Sequence, residues 1–137
     1  MSEKALEFET GSVKKEEVEA FLKTVPFDIT FVDKDDCVRY FNKSEIFLRS
    51  KAVLGRKVQQ CHPQKSVHMV NKILESFKSG KKDVAEFWIP LKDRLIHVRY
   101  FAVRDKDRKY LGTMEVTQDI TDLKKLEGEK RLLDWKD

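Results

Sequence analysis

No stretch of this sequence is apolar for the roughly 18 to 20 residues that a membrane-spanning helix needs, and Met1–Thr10 is charged, without the apolar core of a signal peptide. Both absences predict a cytoplasmic protein that does not engage a membrane. Cysteine is scarce: Cys37 and Cys61 are far apart and form no CxxC pair, so they read as free thiols. Glycine never clusters. Gly11, Gly55, Gly80, Gly112 and Gly128 are all isolated, which excludes a glycine-rich phosphate loop. Charge of one sign does not dominate either, with 28 basic against 24 acidic residues and a net charge of +4. Acidic residues interrupt most basic clusters, so the chain lacks the localised basic face that nucleic acid requires. No Ser/His/Asp grouping can be placed from spacing, and Asp35-Asp36 and Asp105/Asp107 read as solvated turns rather than paired catalytic carboxylates. His62 and His68 lack the i, i+4 spacing with glutamate of a zinc-protease helix. The missing constellations predict a protein that is not an enzyme.

What is present fits one α+β domain of 137 residues. Residues 1–11 read as a flexible N-terminus and 12–25 as a flanking helix capped by Ser12, with Val18, Phe21, Leu22 and Val25 as its stripe and Pro26 as its stop. Ile29–Val32 and Cys37–Phe41 read as a hairpin around the polar turn Asp33-Lys34-Asp35-Asp36. Residues 43–61 carry a short helix around Glu45–Leu48 and a turn at Gly55. A longer helix spans Ser66–Lys78, burying Val67, Val70, Leu74 and Phe77, exposing His68, Lys72 and Glu75, and closing on Gly80. Three antiparallel strands follow, over residues 83–91, 94–104 and 110–120. Their apolar sets (Ala85, Phe87, Ile89, Leu91; Ile96, Val98, Tyr100, Ala102; Met114, Val116, Ile120) predict one wholly apolar face under the helices. The other face mixes Trp88, Leu95 and Phe101 with Glu86, Arg99 and Glu115. Residues 26–121 thus form the core, and 122–137 a final helix with Leu123, Leu126 and Leu133 near heptad spacing.

Two strands, small helices, a longer helix and a three-strand meander is an element order that resembles the PAS fold. Phe27-Asp28-Ile29-Thr30-Phe31-Val32-Asp33 and Val38-Arg39-Tyr40-Phe41-Asn42 look like its opening hairpin. Gln118-Asp119-Ile120-Thr121 resembles the motif that ends its last strand and hands over to an output helix. Thr10-Gly11-Ser12, Gly55-Arg56-Lys57-Val58-Gln59, Cys61-His62-Pro63, Lys65-Ser66-Val67-His68 and Asp83–Ile89 narrow the resemblance. They are similar to a subfamily found at the C-terminal end of bacterial and archaeal proteins of unknown function, often beside a hemerythrin-like domain. The chain departs at Lys51 and Gln64, where that subfamily tends to place proline. The fold expected is a five-stranded antiparallel sheet with helices on one face, plus flanking terminal helices.

The resemblance implies a sensory module that binds a small apolar ligand or a cofactor between the long helix and the apolar sheet face. The expected walls are Phe31, Tyr40, Phe47, Val70, Leu74, Phe87, Ile89, Val98, Tyr100, Met114 and Val116, each of which also reads as ordinary core. The cofactor is not fixed by the sequence. The resemblance raises haem, with His62 as axial ligand; the alternative is that His62 bonds a loop carbonyl or caps the helix, with Pro63 opening its first turn. Redox sensing through Cys61 is a further alternative, whereas the Asn-Cys-Arg-Phe-Leu-Gln motif of flavin-binding photosensory PAS domains is absent. The final helix carries no histidine, so output is assigned to another domain, another chain or self-association. The competing reading is a ligand-free homodimerisation module that uses Val18, Phe21, Leu22, Trp88, Leu95 and Phe101.

Overall fold

The computed structural model describes residues 4–136. The chain opens with a small hairpin, β1 (Ala5–Phe8) and β2 (Gly11–Lys14), paired in the register Leu6↔Val13 and Phe8↔Gly11. This corrects the expectation of a loose N-terminus through residue 11, as far as residues 4–11 are concerned; Met1–Glu3 lie outside the described residues. Gly11 takes a φ of 146°, which most side chains avoid, and the chain folds back on itself there. Ser12 is therefore held in a strand, and helix α1 (Lys15–Thr24) starts three residues beyond it. The backbone N–H of Lys14 donates to Glu17 Oε1 at 2.8 Å and fixes that start. Val25 and Pro26 end the helix as the sequence predicts.

The main sheet has five antiparallel strands in the order β4-β3-β7-β6-β5. They are β3 (Asp28–Asp33), β4 (Val38–Phe41), β5 (Val84–Leu91), β6 (Arg94–Arg104) and β7 (Tyr110–Asp119). Local polar chemistry shapes each turn. Asp33 Oδ1 accepts from the backbone N–H groups of Asp35 and Cys37 at 2.9 and 3.0 Å. Asp105 Oδ1 does the same for Asp107 and Lys109, both at 2.9 Å. Lys92 and Asp93 join β5 to β6 with φ values of 48° and 65°, the left-handed pair that matches strand twist in a tight hairpin.

Between β4 and the long helix the chain runs without the helix expected near Glu45–Leu48. Asp28 Oδ2 accepts from the Ile46 N–H and Asn42 Oδ1 from the Lys43 N–H, so side chains from β3 and just past β4 hold this segment in an irregular path. Two 3-10 turns, Lys51–Val53 and Val58–Cys61, complete this segment. Helix α2 (Gln64–Lys78) then crosses one face of the sheet and buries Val70, Leu74 and Phe77. Val70 and Leu74 pack with Val32, Val38 and Val58 to form the core. Gly80, at φ 79°, lets its own N–H reach Phe77 O and that of Lys81 reach Ser76 O, which closes the helix.

The face-by-face expectation fails in β7, for a definite reason. The β6–β7 register shifts between Val103 and Arg104, so Val103 pairs with Gly112 but Arg104 with Tyr110. One extra residue in a strand turns all that follow it to the opposite face. Tyr100 therefore lies beside Glu115, and Val98 beside Thr117, on the α2 side. Met114 and Val116 sit on the other side with Phe101 and Arg99. The inner face is not wholly apolar: Thr30, Thr113, Glu115 and Thr117 are all buried on it.

Beyond β7 the expected helix over 122–137 does not form among the described residues, and Asp137 lies outside them. A single 3-10 turn, Leu123–Lys125, is followed by irregular chain with Leu126, Leu132, Leu133 and Trp135 exposed. Gly128 takes φ 64°, and isolated helices shorter than about 12–15 residues are marginal without a packing partner.

Candidate ligand cavity

Beneath α2 lies a cavity of about 20 Å³. Its apolar wall is Val32, Val38 and Val58 on one side and Val70, Ile73 and Leu74 of α2 on the other. Its polar end is Arg49, Glu115, Tyr100, Thr30 and Thr113. Sheet register builds this end: Glu115 in the middle of β7 faces Tyr100 on one neighbour and Thr30 on the other. Arg49 arrives from the loop after β4, and its guanidinium donates directly to Glu115 Oε1. Both partners are largely out of water, with side chains 18% and 11% exposed. Burial first, and then the charge of Glu115 and a hydrogen bond to it, push the Tyr100 hydroxyl well above the ordinary phenol range, so it stays protonated.

An ion pair removed from water costs desolvation that apolar side chains of the same volume would not incur. A charged pair and a phenol at one end of an otherwise apolar cavity give it a polar anchor point with fixed direction.

The expected wall residues divide into three groups. His62, Val70, Leu74 and Tyr100 do line the cavity. Phe87, Ile89 and Val98 share the inner face but lie further along the sheet, where Phe87 meets Tyr100 edge-on at 6.1 Å between ring centroids. Phe47 is half-buried in the loop after β4 and is not part of the wall. Phe31, Tyr40, Met114 and Val116 belong to the opposite face, placed there by the β7 register and by the Phe31↔Tyr40 and Phe31↔Met114 pairs. Gly112 packs close to this ring, since a Cβ at that position would stand 2.3 Å from the Val32 carbonyl oxygen and 2.7 Å from the Phe31 ring. Arg49 and Glu115 escaped the sequence reading. Polar residues alternating at Thr113, Glu115 and Thr117 in a central strand were the available signal for one of them, and Arg49 gave none.

Haem does not fit this cavity as it stands. A space of about 20 Å³ holds about one water molecule, whereas pockets for drug-sized ligands run to about 300 Å³ or more. His62 Nδ1 donates instead to the backbone carbonyl of Val58 at 3.0 Å, and Pro63 occupies the N-cap of α2. His68 is exposed, and His97 Nε2 meets Glu86 Oε2 on the outer face. Cys37 and Cys61 are free and half-buried. Among the described residues no three His, Cys, Asp or Glu side chains converge on a metal position, and no helix is long and apolar enough to cross a membrane.

The outer sheet face is the second feature. Trp88 is 62% exposed and Val84 52%, Leu95 and Phe101 are half-buried, and Arg99 stacks on Phe101 with its guanidinium carbon 5.3 Å from the ring centroid. On α1, Phe21 is exposed while Val18 and Leu22 are half-buried.

A five-stranded antiparallel sheet crossed on one face by a single long helix, with a small cavity between them, defines a compact α+β module. The PAS domain profile matches residues 18–121, and the chain belongs to the PAS domain family. It is similar to the C-terminal domain of a Streptococcus mutans protein at 31% identity and a TM-score of 0.85, over 90% of this chain and 98% of that one. The fold is shared with the PAS domain of a Colwellia psychrerythraea protein, at 16% identity and a TM-score of 0.56, covering 78% of this chain and 97% of the other. A sensory box sensor histidine kinase from Vibrio cholerae has it too, at 11% identity and a TM-score of 0.55, over 78% and 91% of the two chains. No curated protein matches the sequence.

Proposed function

We propose that this PAS domain is a sensory module that binds a small ligand between α2 and the inner sheet face, and that it is not an enzyme. The observation that carries this reading is the buried Arg49–Glu115 pair with Tyr100 at the end of an apolar cavity. The cavity must enlarge to accept a ligand, and the anchoring of α2 favours its N-terminal end for that movement. Its C-terminal end is tied down: Arg104 donates to Phe77 O at 2.6 Å, and Lys78 Nζ lies 2.8 Å from Asp36 Oδ1. Its N-terminal end follows a segment with only two short 3-10 turns.

A ligand that bears on Glu115 also bears on the exit of the chain, because β7 runs from Glu115 directly to Asp119. There Asp119 Oδ1 accepts from the N–H and hydroxyl of Thr121 at 3.0 and 2.6 Å, and Thr121 Oγ1 accepts from the Leu95 N–H at 2.8 Å. Differential binding of ligand to two arrangements of this strand would bias the segment that follows it, which passes the signal to an output domain or partner. Native mass spectrometry of freshly purified protein, compared with the denatured mass, tests the reading together with a thermal-shift panel. A non-covalent adduct, or saturable stabilisation by a small amphiphile, is expected. Neither an adduct nor any stabilising compound would count against it.

A second reading, homodimerisation through the outer face, is favoured by the exposure of Trp88 and Val84 beside Leu95 and Phe101. The two readings are compatible. Sedimentation at increasing concentration separates a dimer from a monomer.

A further inference from the structure

His62 occupies a position that its loop hydrogen bond does not explain. It lines the cavity beneath α2, and it also lines a surface groove formed with Gln59, Gln60, Gln64, Val67, His68 and Asn71 at the start of that helix. It is the one residue common to both linings, so it borders the cavity on one side and the groove on the other. Among the described residues a single hydrogen bond, from Nδ1 to Val58 O, holds the ring in place. One hydrogen bond of this kind is a small barrier to side-chain rotation.

The charge inside the cavity selects what can enter. Arg49 and Glu115 neutralise each other, so an ionic ligand would add a net charge to a largely dry space, and an uncharged ligand would not. Arg49 has five N–H donors and commits one to Glu115; Thr30 lines the same end, and the Thr113 hydroxyl there is shared with the Tyr110 hydroxyl at 2.8 Å. This end is rich in donors, which suits a carbonyl, an amide or a ring nitrogen. The valines and leucine opposite suit a short apolar body. The groove outside carries side-chain amides from Gln59, Gln60, Gln64 and Asn71, a neutral approach to the same opening.

We propose that the cavity takes an uncharged small molecule with a hydrogen-bond acceptor and a short apolar body, admitted from the groove at the start of α2 past His62, which acts as the gate. This rests on the cavity being a ligand site and adds the class of ligand and its route.

The test is thiol labelling at Val70→Cys, since Val70 faces the cavity from α2 and is 7% exposed. Three methanethiosulfonates serve as probes: the neutral methyl reagent, the anionic sulfonatoethyl reagent and the cationic trimethylammonioethyl reagent. Peptide mass mapping reads each site separately, and rates are normalised to Met69→Cys, on the exposed side of the same helix. The neutral reagent is expected to label position 70 at least about ten-fold faster than either charged one. His62→Ala is expected to raise that neutral rate by a similar factor, and His62→Phe to lower it. Equal normalised rates for the three reagents would overturn the ligand class. Unchanged rates across the position-62 variants would overturn the gate, as would acceleration of all three reagents together, which marks global opening. Labelling needs no natural ligand, so its failure is distinguishable from a failure to find an adduct by native mass spectrometry.

Discussion

Arg49 and Glu115 are the residues on which the site turns, and they follow different rules from the apolar wall around them. Each is tolerated in the interior because the other is there. Arg49→Met would strand a buried carboxylate and is expected to cost about 3 kcal/mol, the low end of the range for breaking a buried pair. The double variant Arg49→Met/Glu115→Leu should recover most of that loss, because it removes both charges together. Urea unfolding of the two variants and the parent checks the order. Sequence alone reached Val70, Leu74 and Tyr100, because helical phase and strand alternation reveal which side chains face inward, and His62 was singled out only by the family resemblance. It did not reach Arg49, whose place depends on the path of a loop held by Asp28 and Asn42 rather than on any periodicity.

At the scale of elements, one shifted pair decided more than any motif. The bulge between Val103 and Arg104 turns the polar set of β7 inward and its apolar set outward. Alternation within β7 was legible in the sequence, but its phase relative to β6 was not, because the shift lies next to the charged hairpin Asp105–Lys109 and has no signature of its own. The far end of the same strand pair carries a second interaction between elements. Arg94 Nε, at the start of β6, donates to Asp119 Oδ2 at 2.7 Å, at the end of β7. That guanidinium, followed by the hydroxyl and N–H of Thr121, holds the Asp119 carboxyl well below the usual 3.8, at about 2. A carboxylate with a lowered folded-state pKa adds stability above its unfolded value and loses it as pH falls through the folded one. Stability should therefore contain a contribution that disappears between about pH 4 and pH 2, and Asp119→Asn should flatten the curve in that window. Thermal melts across that range check it.

The whole molecule was legible in outline. The order of the five main strands and the long helix, the C-terminal end of α2 at Lys78 and two of the polar turns all follow from local sequence, while α2 itself begins at Gln64, two residues before the expected Ser66. The termini did not follow. Residues 5–14 pair as a hairpin where a loose segment through residue 11 and a helix from Ser12 were expected, and residues 122–136 lack the helix that their leucine spacing suggested. In both places the outcome depends on pairing or packing partners that periodicity does not specify. The cavity also belongs to this scale. It is assembled by β3 pairing with β7 across more than half the chain, with α2 laid over the join.

That assembly is what makes a ligand-sensing reading testable in one measurement. Methyl NMR of the valine, leucine and isoleucine side chains, during titration with small uncharged ketones, amides and N-heteroaromatics, reports the inner and outer faces at once. The account predicts saturable shifts concentrated at Val58, Val70, Ile73 and Leu74, with the outer-face methyls of Val84 and Leu95 unmoved. Saturable shifts confined to Val84 and Leu95, or none at any concentration, would contradict a ligand site beneath α2.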